Sequence, residues 1–89
     1  MFDWDPVKAR RNQQKHGVTF EEASSIFYDP LSVTGLDPDH STSEQRYVTI
    51  GMSDKGRLLV VAHKEEDDSI RIISARVTDK RGRKTYEEG

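Results

Sequence analysis

Between Ser69 and Val77 the chain alternates so that Ile70, Ile72, Ser74 and Arg76 fall on one side, and Arg71, Ile73, Ala75 and Val77 on the other. A period of two marks a strand. Apolar residues on both sides place that strand inside a sheet with at least one face covered, so its arginines need anionic partners or water at the strand ends. Residues 46–52 and 58–64 alternate in the same way, and turn-forming residues at 53–56 and 65–68 join the three segments as consecutive hairpins. Residues 31–36 read as a further strand, followed by a polar loop over 37–43. Phe2 and Trp4 alternate with Asp3 and Asp5 as a short edge strand.

Two helices are predicted between that edge strand and the first long strand. Asp5 caps the first, Pro6 suits its first turn, and Gly17 ends it after His16. Thr19 and Glu22 have capping-box spacing. Phe20, Ala23, Ile26 and Phe27 then form one stripe of a second helix that stops before Asp29-Pro30. A last helix, capped by Thr78 or Asp79, runs to near Gly89. The order of elements predicts a single α+β domain over residues 1–89, with a mainly antiparallel sheet of four to five strands, two N-terminal helices and a C-terminal helix.

Counting back from the hairpin turns gives an expected register. Val48, Ile50, Met52, Leu58, Val60, Ala62, Ile70, Ile72 and Ser74 share the face packed under helices. Tyr47, Thr49, Arg57, Val61, His63, Arg71 and Ala75 share a more polar face suited to a site.

Composition bounds the function. The 89 residues contain no cysteine, which removes disulfides and thiolate metal sites and fits a reducing cytoplasm. No apolar run approaches the ~20 residues that span a bilayer, and the N-terminus is unlike a signal peptide, so a cytoplasmic protein without a membrane partner is expected. The net charge of −2 is unevenly spread: residues 1–16 carry +2, residues 17–70 carry −7 and residues 71–89 carry +3. The basic first helix and the basic run Lys80-Arg81-Gly82-Arg83-Lys84 are therefore expected to join as one positive patch.

No glycine-rich phosphate loop, nucleophile elbow or metal-spaced cluster of histidines and carboxylates is present, and no cofactor is implied. His16 ends a helix whose dipole favours a cation there, and His40 sits in the polar loop. His63 lies on a strand of the polar face, near Arg71 across a hairpin, placed either as a general acid or base or as a hydrogen-bonded strand residue. Arg46, Arg57, Arg71 and Arg76 all fall at or near strand ends. Singly, each has a carboxylate close in sequence (Glu44, Asp54, Glu65 or Glu66). As a set around one sheet face, their forked guanidinium groups suit phosphate.

At this point the residues carry a family resemblance. Phe2-Asp3-Trp4-Asp5-Pro6, Lys15-His16-Gly17-Val18, Phe20-Glu21-Glu22-Ala23, Asp39-His40-Ser41, Arg46-Tyr47, Gly56-Arg57, Leu59-Val60-Val61 with His63, Arg71-Ile72-Ile73-Ser74-Ala75-Arg76 and Tyr86-Glu87-Glu88 together resemble the BrnT-type toxins, ribonucleases of type II toxin-antitoxin pairs. The resemblance implies a RelE-like fold, metal-independent endoribonuclease activity on an RNA substrate, and inhibition of translation. It also implies neutralisation by a BrnA-type antitoxin whose ribbon-helix-helix part binds operator DNA. Under it, Arg76 is the first catalytic candidate, with His63, Arg57 and Arg46 beside it, and Arg71, Lys80, Arg81, Lys15 and His16 are substrate-binding candidates. One departure stands out. The family's Thr and, three residues later, Glu after the Ser-Ala-Arg block read here as Asp79 and Gly82, which supports an alternative: a degenerate toxin that binds RNA or antitoxin without cutting.

Overall fold

In a computed structural model, which describes residues 1–37 and 45–89, the chain runs β1 (Phe2–Asp3), α1 (Pro6–His16), α2 (Phe20–Ser25), a 3-10 turn (Ile26–Tyr28), β2 (Val33–Leu36), β3 (Tyr47–Met52), β4 (Leu58–Glu66), β5 (Ser69–Val77) and α3 (Lys80–Glu88). The expected loop over 37–43, with His40, lies outside the described residues except for Asp37, as does Glu44. The strands form one mixed sheet in the order β1-β5-β4-β3-β2. Every neighbouring pair is antiparallel except β1 with β5, which are parallel. The α+β expectation holds, with five strands and three α-helices among the described residues.

Local chemistry explains the helix ends. The Asp5 carboxylate accepts the Val7 N–H at 2.9 Å, and Gly17, in the left-handed region at φ 68°, donates its N–H to Gln13. Thr19 Oγ1 accepts the Glu22 N–H at 3.1 Å. The return arm expected of a capping box is diverted, because the Glu22 carboxylate is taken by Arg57 and Ser53.

The core joins Val18, Phe20, Ala23 and Ile26 from the helical side to Leu59, Val61, Ile72 and Ala75 of β4 and β5. Trp4 closes one end, edge-on to Phe20 with ring centroids 6.0 Å apart. Gly51 lets the 3-10 turn approach β3, since a Cβ there would stand 3.0 Å from that of Ile26.

This packing reverses the expected faces. Thr49, Val61 and Ala75 lie on the side covered by the N-terminal helices and are at most 1% exposed, whereas Val48, Ile50, Val60 and Ala62 on the other side are only half-buried. Both sets are apolar enough to be a core, and Gly51 selects the side on which a helix can come close. The opposite side is covered in part by α3, which seats Gly82 against Ile50 and ties Tyr86 Oη to the Asp29 carboxylate at 2.7 Å. Asp29 also accepts the N–H of Met52 and of Leu31, so one carboxylate holds a turn, a strand end and α3.

A second correction concerns register. Ala62 faces Ser74, but the next residue, His63, faces Ile72, so Ile73 is an extra residue forming a bulge. Beyond the bulge every residue of β5 changes side. Ile72 joins His63 on the helix-covered face, and Arg71, opposite Lys64, moves to the other.

Candidate nucleic-acid interface

The half-open sheet face carries Arg71, Ser74 and Arg76 of β5 and Lys64 of β4, by their pairing with Lys64, Ala62 and Val60. Arg71 forms an ion pair with Asp3 across the parallel β1–β5 edge, and Lys64 pairs with Glu66 at 2.9 Å. Arg76 is exposed, one residue before the end of β5. Its charged neighbour is Asp79, the N-cap of α3. The Asp79 carboxyl is held below the usual carboxylate range chiefly by the Gly82 N–H at 3.0 Å, with Arg76 and Arg81 adding to it. Lys80 and Arg81 open α3 and are exposed beside that cap. Arg76, Lys80 and Arg81 are thus gathered where the strand becomes the helix.

The other candidates are not brought together with Arg76. His63 is 4% exposed on the opposite, helix-covered face. Its Nε2 lies 2.7 Å from Thr49 Oγ1, which is itself 2.7 Å from Thr34 Oγ1, and its ring stacks on Tyr47 and meets Phe27 edge-on. Nδ1 is buried without a hydrogen-bond partner among the described residues. Burial pulls the pKa of His63 down to about 4, so the ring is neutral at pH 7.

Arg57 stands before β4, six residues from His63, or roughly 20 Å along an extended strand. Its Nε donates to Glu22 Oε2 at 2.9 Å and its Nη2 to Glu22 Oε1 and to the Gly17 carbonyl. Glu22 is buried, and its carboxyl is lowered first by the Arg57 bond, with help from the Ser53 hydroxyl at 2.7 Å. Arg46 is half-buried just ahead of β3, its carbonyl accepting the Asp37 N–H at 2.8 Å. Arg57 borders the Arg76 corner through its backbone, since the next residue, Leu58, accepts the Thr78 N–H at 2.9 Å, but its side chain is turned away to brace α2. Arg46, beside Tyr47, stands toward the other end of the sheet.

Lys15 and His16 line a shallow groove of about 220 Å³ between α1 and β5, together with Lys8, Arg11, Asn12, Ile73 and Ser74. Sequence reasoning gave no role to Asn12, which fixes this groove. Its Nδ2 donates to the Ala75 carbonyl at 2.8 Å and to Val18 at 3.0 Å, and its Oδ1 accepts the Ala75 N–H at 3.0 Å. The amide thus pairs with the edge of β5 where β1 has ended. The signal available was its place at helical spacing from Lys8, Lys15 and His16. The basic helices do not share a face: α1 packs along β5 on the core side and α3 on the other. The larger hollow beside Tyr28, about 500 Å³, is lined by Glu21, Asp29 and Asp54, the wrong sign for RNA.

Among the described residues no group of three histidine or acidic side chains is placed to hold a metal ion. No helix among them is long and apolar enough to cross a membrane.

A family model described as "Ribonuclease toxin, BrnT, of type II toxin-antitoxin system" matches residues 4–82. The crystal structure of the Brucella abortus ribonuclease toxin BrnT is similar to this fold with a TM-score of 0.65 and 21% identity, covering 90% of this chain and 99% of that one. At that identity the likeness is one of fold. No curated protein sequence matches the chain.

Proposed function

The chain belongs to the BrnT family of ribonuclease toxins of type II toxin-antitoxin systems, and from that premise we propose that it is a metal-independent endoribonuclease in which Arg76 stabilises the reacting phosphate. The observation that carries this reading is the placement of Arg76. It is exposed on the open sheet face, at the corner where β5 meets α3, with Lys80 and Arg81 beside it. RNA brings its own nucleophile. The 2′-oxygen loses its proton and bonds to the adjacent phosphorus, the bond to the 5′-oxygen breaks, and the departing oxygen takes up a proton. Charge gathers on the non-bridging oxygens between those events, and a guanidinium donating two N–H groups to them binds that state more tightly than the starting diester.

In this reading Arg71, with Lys64 beside it, binds the neighbouring strand of RNA, and His63 and Arg57 serve the scaffold. Gly82, which favoured a non-cutting module, has a packing reason of its own in the close approach of α3 to Thr78 and Ile50. The protein acts in the cytoplasm, where cleavage of RNA inhibits translation. A BrnA-type antitoxin with a ribbon-helix-helix part neutralises it and carries the pair to operator DNA.

The test is cleavage by the purified protein in EDTA, with the product ends identified. Fragments ending in 2′,3′-cyclic phosphate, abolished in Arg76→Ala, are expected. Products that form only after magnesium is added refute the metal-free scheme.

A further inference from the structure

The groove between α1 and β5 lies outside the Arg76 corner and joins it at Ser74, which lines the groove and also stands two residues before Arg76 on the same sheet face. Along α1, Lys8, Asn12, Lys15 and His16 follow each other at helical spacing on the side that Asn12 fastens to Ala75, with Arg11 alongside. The helix from Pro6 to His16 contains no acidic residue, and among the described residues no carboxylate pairs with Lys8, Arg11, Lys15 or His16. Lys8 sits in the first turn, where the helix dipole disfavours a cation, and Arg11 and Lys15 repel one another at a spacing of four. An arrangement that gathers like charge against both local effects is complemented by an anion from outside.

The groove floor has a cause in the strand. The bulge leaves Ile73 without a partner on β4, and Ile73 and Ser74 form the wall that faces the cations. A row of positive side chains above an apolar residue and a hydroxyl matches a sugar-phosphate backbone, with phosphates toward Lys8, Arg11 and Lys15 and a ribose toward Ile73. The row leads to Ser74 and hence to Arg76.

We infer that the α1–β5 groove is a backbone track for single-stranded RNA, holding the strand beside the cut site through phosphate binding by Lys8, Arg11 and Lys15. This rests on the ribonuclease reading for its choice of RNA. It adds a second binding region along the edge of β5 that faces α1, next to the Arg76 corner. The track reads no sequence, because phosphate contacts position a strand without discriminating its bases.

The experiment measures binding of a short single-stranded RNA carrying 2′-O-methyl groups throughout, which has no free 2′-hydroxyl to attack, by fluorescence anisotropy over a salt series. The variant Lys8→Gln/Arg11→Gln/Lys15→Gln, checked for folding by circular dichroism, should bind about ten- to a hundred-fold more weakly near physiological salt. The slope of log affinity against log salt should flatten by about 2, because each phosphate that the protein no longer neutralises on a single strand removes ~0.7 from it. Lys8→Arg/Lys15→Arg should bind like the parent, and so should Lys55→Gln, in the turn between β3 and β4.

A folded triple variant with the parent's affinity and salt slope overturns the track. The same holds if that variant keeps RNA affinity but no longer binds the antitoxin, since the groove then docks a protein. A parent that binds with the groove-dependent slope yet leaves ordinary RNA uncut upholds the track and sinks the ribonuclease reading instead.

Discussion

Arg71 and Arg76 are five residues apart on β5 and project from the same face of the sheet, because Ile73 is a bulge that opposes no residue of β4. In a regular strand an odd separation sends two side chains to opposite faces. The extra residue therefore brings Arg71 onto the half-open face with Arg76, the one that α3 covers only in part, while His63 follows Leu59 and Val61 in the alternation of β4 onto the buried one. That single residue separates the arginines from the histidine that a regular register had grouped with Arg71.

Replacing Arg76 by alanine should lower the cleavage rate on the order of 10²- to 10³-fold, the usual effect of removing one donor that acts on transition-state charge. Stability should stay within about 0.5 kcal/mol, because the side chain is exposed. Single-turnover cleavage and urea unfolding of the same preparation check both halves. A stable variant that cuts at the parent rate removes Arg76 from the mechanism.

Arg57→Ala should behave in the opposite way. It strands Glu22, whose side chain is 1% exposed, leaving the Ser53 hydroxyl as its hydrogen-bonding side-chain partner among the described residues. Breaking a buried pair costs several kcal/mol, and because Arg57 itself is 37% exposed the expected loss is about 2 kcal/mol. Adding Glu22→Gln should recover a substantial part of it, since an amide tolerates burial without a counter-charge. Cleavage per folded molecule should change little. If activity falls 10²-fold in the folded fraction, Arg57 touches the substrate after all.

Helix caps, strands and the α+β class were readable because each depends on residues within four or five positions of one another: Asp5 with Val7, Thr19 with Glu22, the alternation from Ser69 to Val77. The sheet faces and the arginine partners were not. The two sides of β3, β4 and β5 are almost equally apolar, so pattern alone does not choose between them, and the bulge shows only once β4 is laid against β5. Carboxylates near in sequence drew attention for Arg57, whereas its partner Glu22 comes from a helix 35 positions earlier. The place of Arg76 near a strand end was legible because the end itself, the turn to Asp79, is a local signal.

The pH dependence of stability should carry the mark of His63. Its pKa is depressed to about 4 in the folded protein from an ordinary value of 6.5, so the unfolded chain binds the proton more tightly. Stability is therefore full above about pH 6.5 and declines as pH falls toward 4, by at most about 3 kcal/mol. Glu22, Asp29 and Asp79, whose pKa values are also lowered, add their losses at the acid end, below their ordinary values of 4.5, 3.8 and 3.8. In His63→Gln the decline between pH 7 and pH 5 should flatten, whatever the variant's absolute stability. Urea midpoints across that range decide it, and an unchanged slope means the ring is not neutral and buried.

The absence of a side chain at position 82 makes a different kind of prediction. A Cβ built there would stand 1.9 Å from Thr78 Oγ1, a buried hydroxyl with no hydrogen-bond partner among the described residues, and 3.6 Å from Ile50. Gly82→Ala alone gains about 1 kcal/mol of helix propensity but forces Thr78 to move, and overpacking of this kind costs ~1–3 kcal/mol, so the single change should be neutral to destabilising. Thr78→Ala removes the obstructing hydroxyl. The pair Thr78→Ala/Gly82→Ala should then be more stable than the sum of the two single effects by about 1 kcal/mol or more, a coupling that urea unfolding of all four proteins measures. Strict additivity means that α3 already has room for a side chain there, and Gly82 would then need an explanation other than its packing.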